Sequence, residues 1–248
     1  MKKTLTLSFV ALASISWTSC ANNARSTAQL SLGAGSYEID IADVGNDSTA
    51  GGLFELAFES VPETKFGGGA RVRGLASDDD LDDDPLDGFP GTAEARDAEW
   101  FFHGTYDGGV DRQRLPLRMG LSIRSFELQD SISENGTTWS SVGPRVEFAP
   151  ILPLNDSDEI AVSATGLLAL GYSLTSIEDD TLGLEWDSDA VFVDAGVGLR
   201  CDFNRAYVDI GYRYLSSRYA ESDVSGGLFV REIDATFSGL VFTLGFTF

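Results

Sequence analysis

This sequence predicts an all-β fold: a transmembrane, antiparallel, up-and-down β-barrel of about ten strands. Three observations carry that reading. Apolar residues recur at every second position almost everywhere after residue 28, and a helical period is hard to find. The segments between these stretches are alternately short and long. Glycine (27) and phenylalanine (16) are abundant, a composition that leans toward β structure.

The first 21 residues read as an export signal. MKK is a positive leader, LTLSFVALASISW is an apolar core, and Ser19 and Ala21 form a small-x-small cleavage site. A competing reading makes Cys20 the lipidated first residue, although Trp17, Thr18 and Ser19 fit the preceding positions poorly. Cleavage after Ala21 would leave Cys201 as the remaining thiol. It would also take the net charge from −22 to −24 by removing Lys2 and Lys3. Residues 22–248 are then one barrel domain. No later stretch is long and apolar enough for a membrane helix. The acidic excess argues against a nucleic-acid partner, whose phosphates would be repelled.

Ten strands follow in order: 30–41, 54–60, 69–76, 99–106, 114–124, 139–148, 159–174, 190–203, 206–215 and 237–248. Eight or twelve also fit, because the first is irregular near Gly35 and residues 228–236 could extend the last. The fifth shows the pattern plainly: Leu115, Leu117, Met119, Leu121 and Ile123 alternate with Arg118, Gly120, Ser122 and Arg124. The connections after strands two, four and eight are short, the last being only Asn204-Arg205. Those after strands one, three, five, seven and nine are longer and polar, and 77–98 is the longest. Short turns at one end and long loops at the other are the layout of a membrane barrel. Phe58, Trp100, Tyr106, Trp139, Phe148, Phe203 and Tyr214 sit near strand ends, where a membrane–water interface suits aromatics.

The last strand sets Leu240, Phe242, Leu244, Phe246 and Phe248 on one face and Val241, Thr243, Gly245 and Thr247 on the other. This pattern resembles the C-terminal signal of bacterial outer-membrane β-barrel proteins, in which a terminal Phe follows alternating apolar residues. The resemblance implies an outer-membrane location in a Gram-negative envelope. It also implies recognition by the barrel-assembly machinery and contact with the bilayer and lipopolysaccharide. It is specific for the superfamily and for no porin-like subfamily.

With the apolar face toward lipid, the other face points into the lumen. Glu55, Glu59, Glu147, Asp194, Asp202 and Asp209 fall there, with Arg71, Arg73, Arg118, Arg124, Arg145, Arg200 and Arg213. Near balance, and the choice of arginine for every base, predict salt-bridge ladders that largely fill the barrel. The alternative is a charged constriction in a narrow, cation-preferring channel. Ten strands lie near the closed end of the size range. Small lumen residues such as Ala161, Ser163, Thr165, Ala169 and Thr243 would either make room for arginines or leave a thin water path.

The stretch 78–99 holds ten acids and one base. A solvated loop is the bland reading and divalent-cation binding the sharper one. Asp83, Asp87, Gly88 and Glu94 fall at calcium-loop spacing, but Pro85 occupies a ligand position. The lone histidine, His103, is followed by Gly104 and Thr105, so the His-x-Ser and Asp-x-His patterns of barrel hydrolases and proteases are missing. The expectation is a non-enzymatic barrel without a cofactor, serving a structural or surface role; adhesion or cation binding through the acidic loops is a further alternative.

Deleting Phe248 should impair assembly, seen as loss of the heat-modifiable band shift on a gel. Changing Thr247 should not. Equal assembly of the deletion would reduce the stretch to an ordinary closing strand.

Overall fold

The computed structural model describes residues 25–43, 45–61, 66–77, 91–107, 114–130, 136–155, 160–179, 183–224 and 228–248. The predicted export signal with Cys20, and also Asp83 and Asp87, lie outside the described residues. In chain order the strands are β1 (Arg25–Ile41), β2 (Gly45–Val61), β3 (Phe66–Ser77), β4 (Gly91–Asp107), β5 (Arg114–Asp130), β6 (Gly136–Phe148) and β7 (Ile151–Pro153). They continue with β8 (Ala161–Asp179), β9 (Leu184–Phe203), β10 (Ala206–Tyr219), β11 (Ser222–Val224), β12 (Leu228–Val230) and β13 (Ile233–Thr247).

Each long strand pairs antiparallel with its neighbours in sequence, and β1 pairs with β13 to close the sheet. The short β7 continues β6 past Pro150, in the same register against β8: Phe148 faces Leu168 and Ile151 faces Thr165. Proline has no N–H to give, so the ladder breaks there for one step. Counting β6 and β7 as one stave, the barrel has ten. The β11–β12 hairpin stands apart from the barrel sheet.

The near end of the barrel carries Arg25, Phe248 and the turn at Asn204-Arg205, where Asn204 adopts φ 55°. The far end carries the β1–β2 and β8–β9 connections. A belt of exposed apolar side chains circles the near half, including Leu32, Phe54, Leu121, Leu170, Val197, Ile210 and Leu240. So continuous an apolar surface is what lipid requires and water does not tolerate.

Most strands are longer than the sequence pattern predicts, chiefly at the far end, while β1 and β3 also start earlier at the near end. β2 begins at Gly45 rather than 54, β4 at Gly91 rather than 99, and β5 ends at Asp130 rather than 124. The connections expected to be long after the first, fifth and seventh predicted strands shrink accordingly. The β1–β2 connection is residues 42–44, with positive φ at Asp43 within it (61°) and at Gly45 just after it (146°). Glu94 lies in β4, opposite Glu127, with Arg96 donating to its carboxylate.

The reason is a phase change. In β5 the lipid-facing residues are Leu117, Met119, Leu121 and Ile123, and farther on the outward set becomes Ser125, Glu127 and Gln129 while Phe126 and Leu128 turn inward. β1 does the same, with Leu30 and Leu32 outward, then Ser36, Glu38 and Asp40 outward and Tyr37 and Ile39 buried. The near half is apolar outside and charged inside; the far half is polar outside and apolar inside. Trp139, expected at a membrane interface, belongs to the inverted half and is buried in the lumen.

Close packing accompanies the switch. Gly35 faces Gly239 on one side and Gly51 on the other. A Cβ on Gly35 would lie 2.1 Å from the Ser238 carbonyl oxygen and 2.5 Å from Gly239 Cα. The irregular stretch in the first strand is thus the tightest point of the closing seam. Gly35→Val should destabilise the barrel by about 1–3 kcal/mol, the usual cost of overpacking. The midpoint of the heat-modifiable shift should fall, and an unchanged midpoint would show that the seam can spread.

Candidate functional site

The lumen-facing charges come from seven strands, and their depth in the barrel follows from register. Glu55 sits opposite Arg73 on β2 and β3, and Arg118 opposite Glu147 on β5 and β6. Arg213 faces Gly196 on β9, which leaves room for its side chain to reach Asp194.

Two carboxylates act as hubs. Asp194 accepts from Arg73 at 3.1 Å, from Arg145 at 2.7 Å, and from both Nε and Nη2 of Arg213 at 2.9 and 2.8 Å. Glu147 is held bidentately by Arg71 at 2.8 and 3.0 Å, by Arg118 at 2.6 Å, and by Arg145 at 3.1 Å. Glu55 bridges Arg73 and Arg213, and Glu59 holds Arg118. Such charge-assisted, forked contacts are the strong kind, and only arginine offers the planar fork.

Two members were not among the residues the sequence placed in the lumen. Asp97 accepts from Arg124 at 2.9 Å and from Ser122, and Glu99 lies 3.3 Å from Arg145. The sequence reading counted both in the acidic stretch 78–99 because they follow its run of aspartates, although Glu99 also opened the fourth predicted strand. Parity was the available signal: Asp97 and Glu99 share a face with Phe101 and His103, opposite Trp100 and Phe102. With them the buried cluster holds Arg71, Arg73, Arg118, Arg124, Arg145 and Arg213 against Glu55, Glu59, Asp97, Glu99, Glu147 and Asp194. Six formal charges of each sign cancel.

Three of the predicted lumen charges stand apart from this cluster, nearer the near end. Arg200 grips Asp202 and lies over the Tyr207 ring, its guanidinium carbon 3.5 Å from the centroid. Asp209 accepts from Thr165 at 2.8 Å. His103 is buried beside Glu59, 3.3 Å away.

Toward the far end the lumen turns apolar. Phe126 stacks on Tyr219 at 5.3 Å, Trp139 packs against both, and Phe192 meets Tyr219 edge-on. Ile177, Phe237 and Ile39 complete the plug. Arg124 joins the two zones: its guanidinium carbon lies 3.7 Å from the Phe192 ring centroid while it donates to Ser217 and Asp97. The near-end mouth is open, with a cavity of about 460 Å³ and an adjoining one of about 170 Å³ along β8 and β13. On the outer face of β13, Leu240, Phe242, Phe246 and Phe248 are exposed, toward lipid. Among the described residues, no group of three or more His, Cys, Asp or Glu could hold a metal ion.

No protein-family model and no curated protein matches the sequence. Solved structures do. The outer membrane protease OmpT from Escherichia coli is similar over 92% of this chain and 98% of its own, with a TM-score of 0.52 and 10% identity. The chain has the fold of the bacterial outer-membrane β-barrels. Weaker likenesses include the translocator domain of autotransporter NalP from Neisseria meningitidis, with 98% of this chain and 95% of that one covered, TM-score 0.44 and 10% identity. Another is Ail, the attachment invasion locus protein of Yersinia pestis, with 88% and 98% covered, TM-score 0.26 and 12% identity.

The OmpT likeness corrects the expectation of a non-enzymatic chain. That expectation rested on missing His-x-Ser and Asp-x-His motifs, but a barrel matched along almost its whole length is a protease. Catalysis is within the reach of this scaffold, and the lack of two local motifs is no ground for excluding it.

Breaking a buried ion pair from one side leaves uncompensated charge. Glu147→Leu, which strands Arg71, Arg118 and Arg145, should therefore cost about 3–5 kcal/mol. The readout is a lower urea midpoint in detergent micelles. Leu121→Met on the lipid face is the control, expected to cost less than about 1.5 kcal/mol.

Proposed function

We propose that this chain is an integral outer-membrane barrel whose lumen is sealed, and that it serves as a rigid membrane scaffold for its far-end hairpins. In that setting the near end faces the periplasm and the far end the cell exterior. Its partners are the bilayer, the lipopolysaccharide of the outer leaflet and, during biogenesis, the barrel-assembly machinery.

The observation that supports a sealed lumen is the neutral cluster of six arginines and six carboxylates with an aromatic plug directly above it. An ion entering from the near end meets guanidinium groups already saturated by carboxylates. Beyond them it would have to cross an apolar layer without water, at a cost of several kcal/mol or more. Side chains that are packed and fully paired also have little freedom to move aside. The polar outer face of the far half, with Glu38, Asp40, Glu127, Glu178, Asp187 and Asp189, keeps the hairpins in water above the membrane. A surface role, as an adhesive or cation-attracting rim, follows from that exposure.

Planar-bilayer recording of the purified barrel tests the seal. The expected result is a flat baseline across a range of voltages. Discrete, cation-selective openings would instead favour a narrow channel and sink the sealed-lumen reading.

A further inference from the structure

We propose that the near end of the lumen holds a binding site for a small organic anion, a phosphate ester or carboxylate, bordered on its inner side by Arg118 and Glu59 of the ion cluster. That the ligand enters from the periplasm rests on the outer-membrane reading; the site itself does not.

The cavity of about 460 Å³ at this end is the size of a small-molecule pocket. In a chain of net charge −22, its lining is basic: Arg114, Arg118, Arg200 and Arg205 against the side chains of Glu59 and Asp202. Arg118 is committed to Glu59 and Glu147, and Arg200 to Asp202. Among the described residues Arg114 and Arg205 have no ion pair, and both stand exposed at the mouth. Two uncommitted guanidinium forks are suited to an oxyanion head group.

Behind the floor lies a buried histidine. His103 lines the cavity and is 4% exposed. Its Nε2 lies 2.7 Å from the Ser60 carbonyl oxygen, which can only accept, so Nε2 carries the proton and donates. In the neutral ring Nδ1 is then a bare acceptor, and it has no hydrogen-bond partner. A buried acceptor left unmet is costly. That nitrogen is itself buried, out of reach of a molecule in the cavity, so the arginines alone would read the head group. Pro116 and Ile151 give apolar wall for a small organic body.

Calorimetric titration of the full barrel in zwitterionic detergent tests the site, with phenyl phosphate, benzoate and neutral phenol as probes. Saturable heat is expected from at least one anion and none from phenol, and the stronger anion identifies the head group. Arg114→Ala/Arg205→Ala should weaken that binding by about tenfold, and raising salt from about 50 mM to about 500 mM should weaken it in the unaltered protein. No saturable heat from either anion would overturn the proposal. So would equal heat from phenol, or unchanged affinity in a double variant that keeps its heat-modifiable shift. None of these readouts depends on whether the lumen conducts.

Discussion

A chain in lipid cannot leave a backbone N–H or C=O unpaired, because no water is there to take it. Everything else in this barrel follows from that constraint. Strands must pair on both edges, so the sheet must close, and β1 has to meet β13 along its whole length from Thr27–Thr247 to Ile41–Ile233. Closure at ten staves encloses a lumen too narrow to be left empty and too wide for backbone alone. Side chains must fill it, and their chemistry is constrained by what their strands present to lipid on the opposite face.

Alternation transmits the constraint inward. In the near half the lipid claims one parity of each strand for Leu, Val and Phe, and the inward parity is free to be polar. Charge placed there is expensive unless neutralised, so the lumen needs equal numbers of each sign within reach of one another. Asp194 and Glu147 meet the requirement by each serving three arginines drawn from different strands. These contacts tie opposite walls of the barrel together, which the backbone ladder cannot do. In the far half, water replaces lipid outside and the logic reverses, so the apolar residues move inward and pack as they would in a soluble protein. The aromatic plug results from where the membrane ends.

Apart from the starts of β1 and β3, the near-end strand limits were legible because apolar alternation starts there against short turns. The far-end limits were not. Leu117 to Ile123 and then Phe126 and Leu128 are both alternating runs, but in opposite phase, and one residue of slip between them looks like the end of a strand. The same slip hid Asp97 and Glu99, whose neighbours in sequence are loop acids and whose neighbours in space are Arg145 and Arg124. Trp139 was misplaced for a related reason: an aromatic near a strand end suits a membrane interface, and only its parity relative to Phe126 and Tyr219 puts it inside.

By itself the sequence determined the all-β class, the strand order, the face each membrane residue would present, and the arginines and all but two of the acids bound for the interior, because those depend on period-two spacing along one chain. The pairing of particular charges was decided by the tertiary structure. Arg71 and Glu147 are 76 residues apart, and Arg73 and Asp194 are 121 apart. Their meeting depends on stagger around a closed sheet, a property of all ten staves together. The same closure decided that the far half holds an apolar plug and that an open, basic cavity remains at the near end.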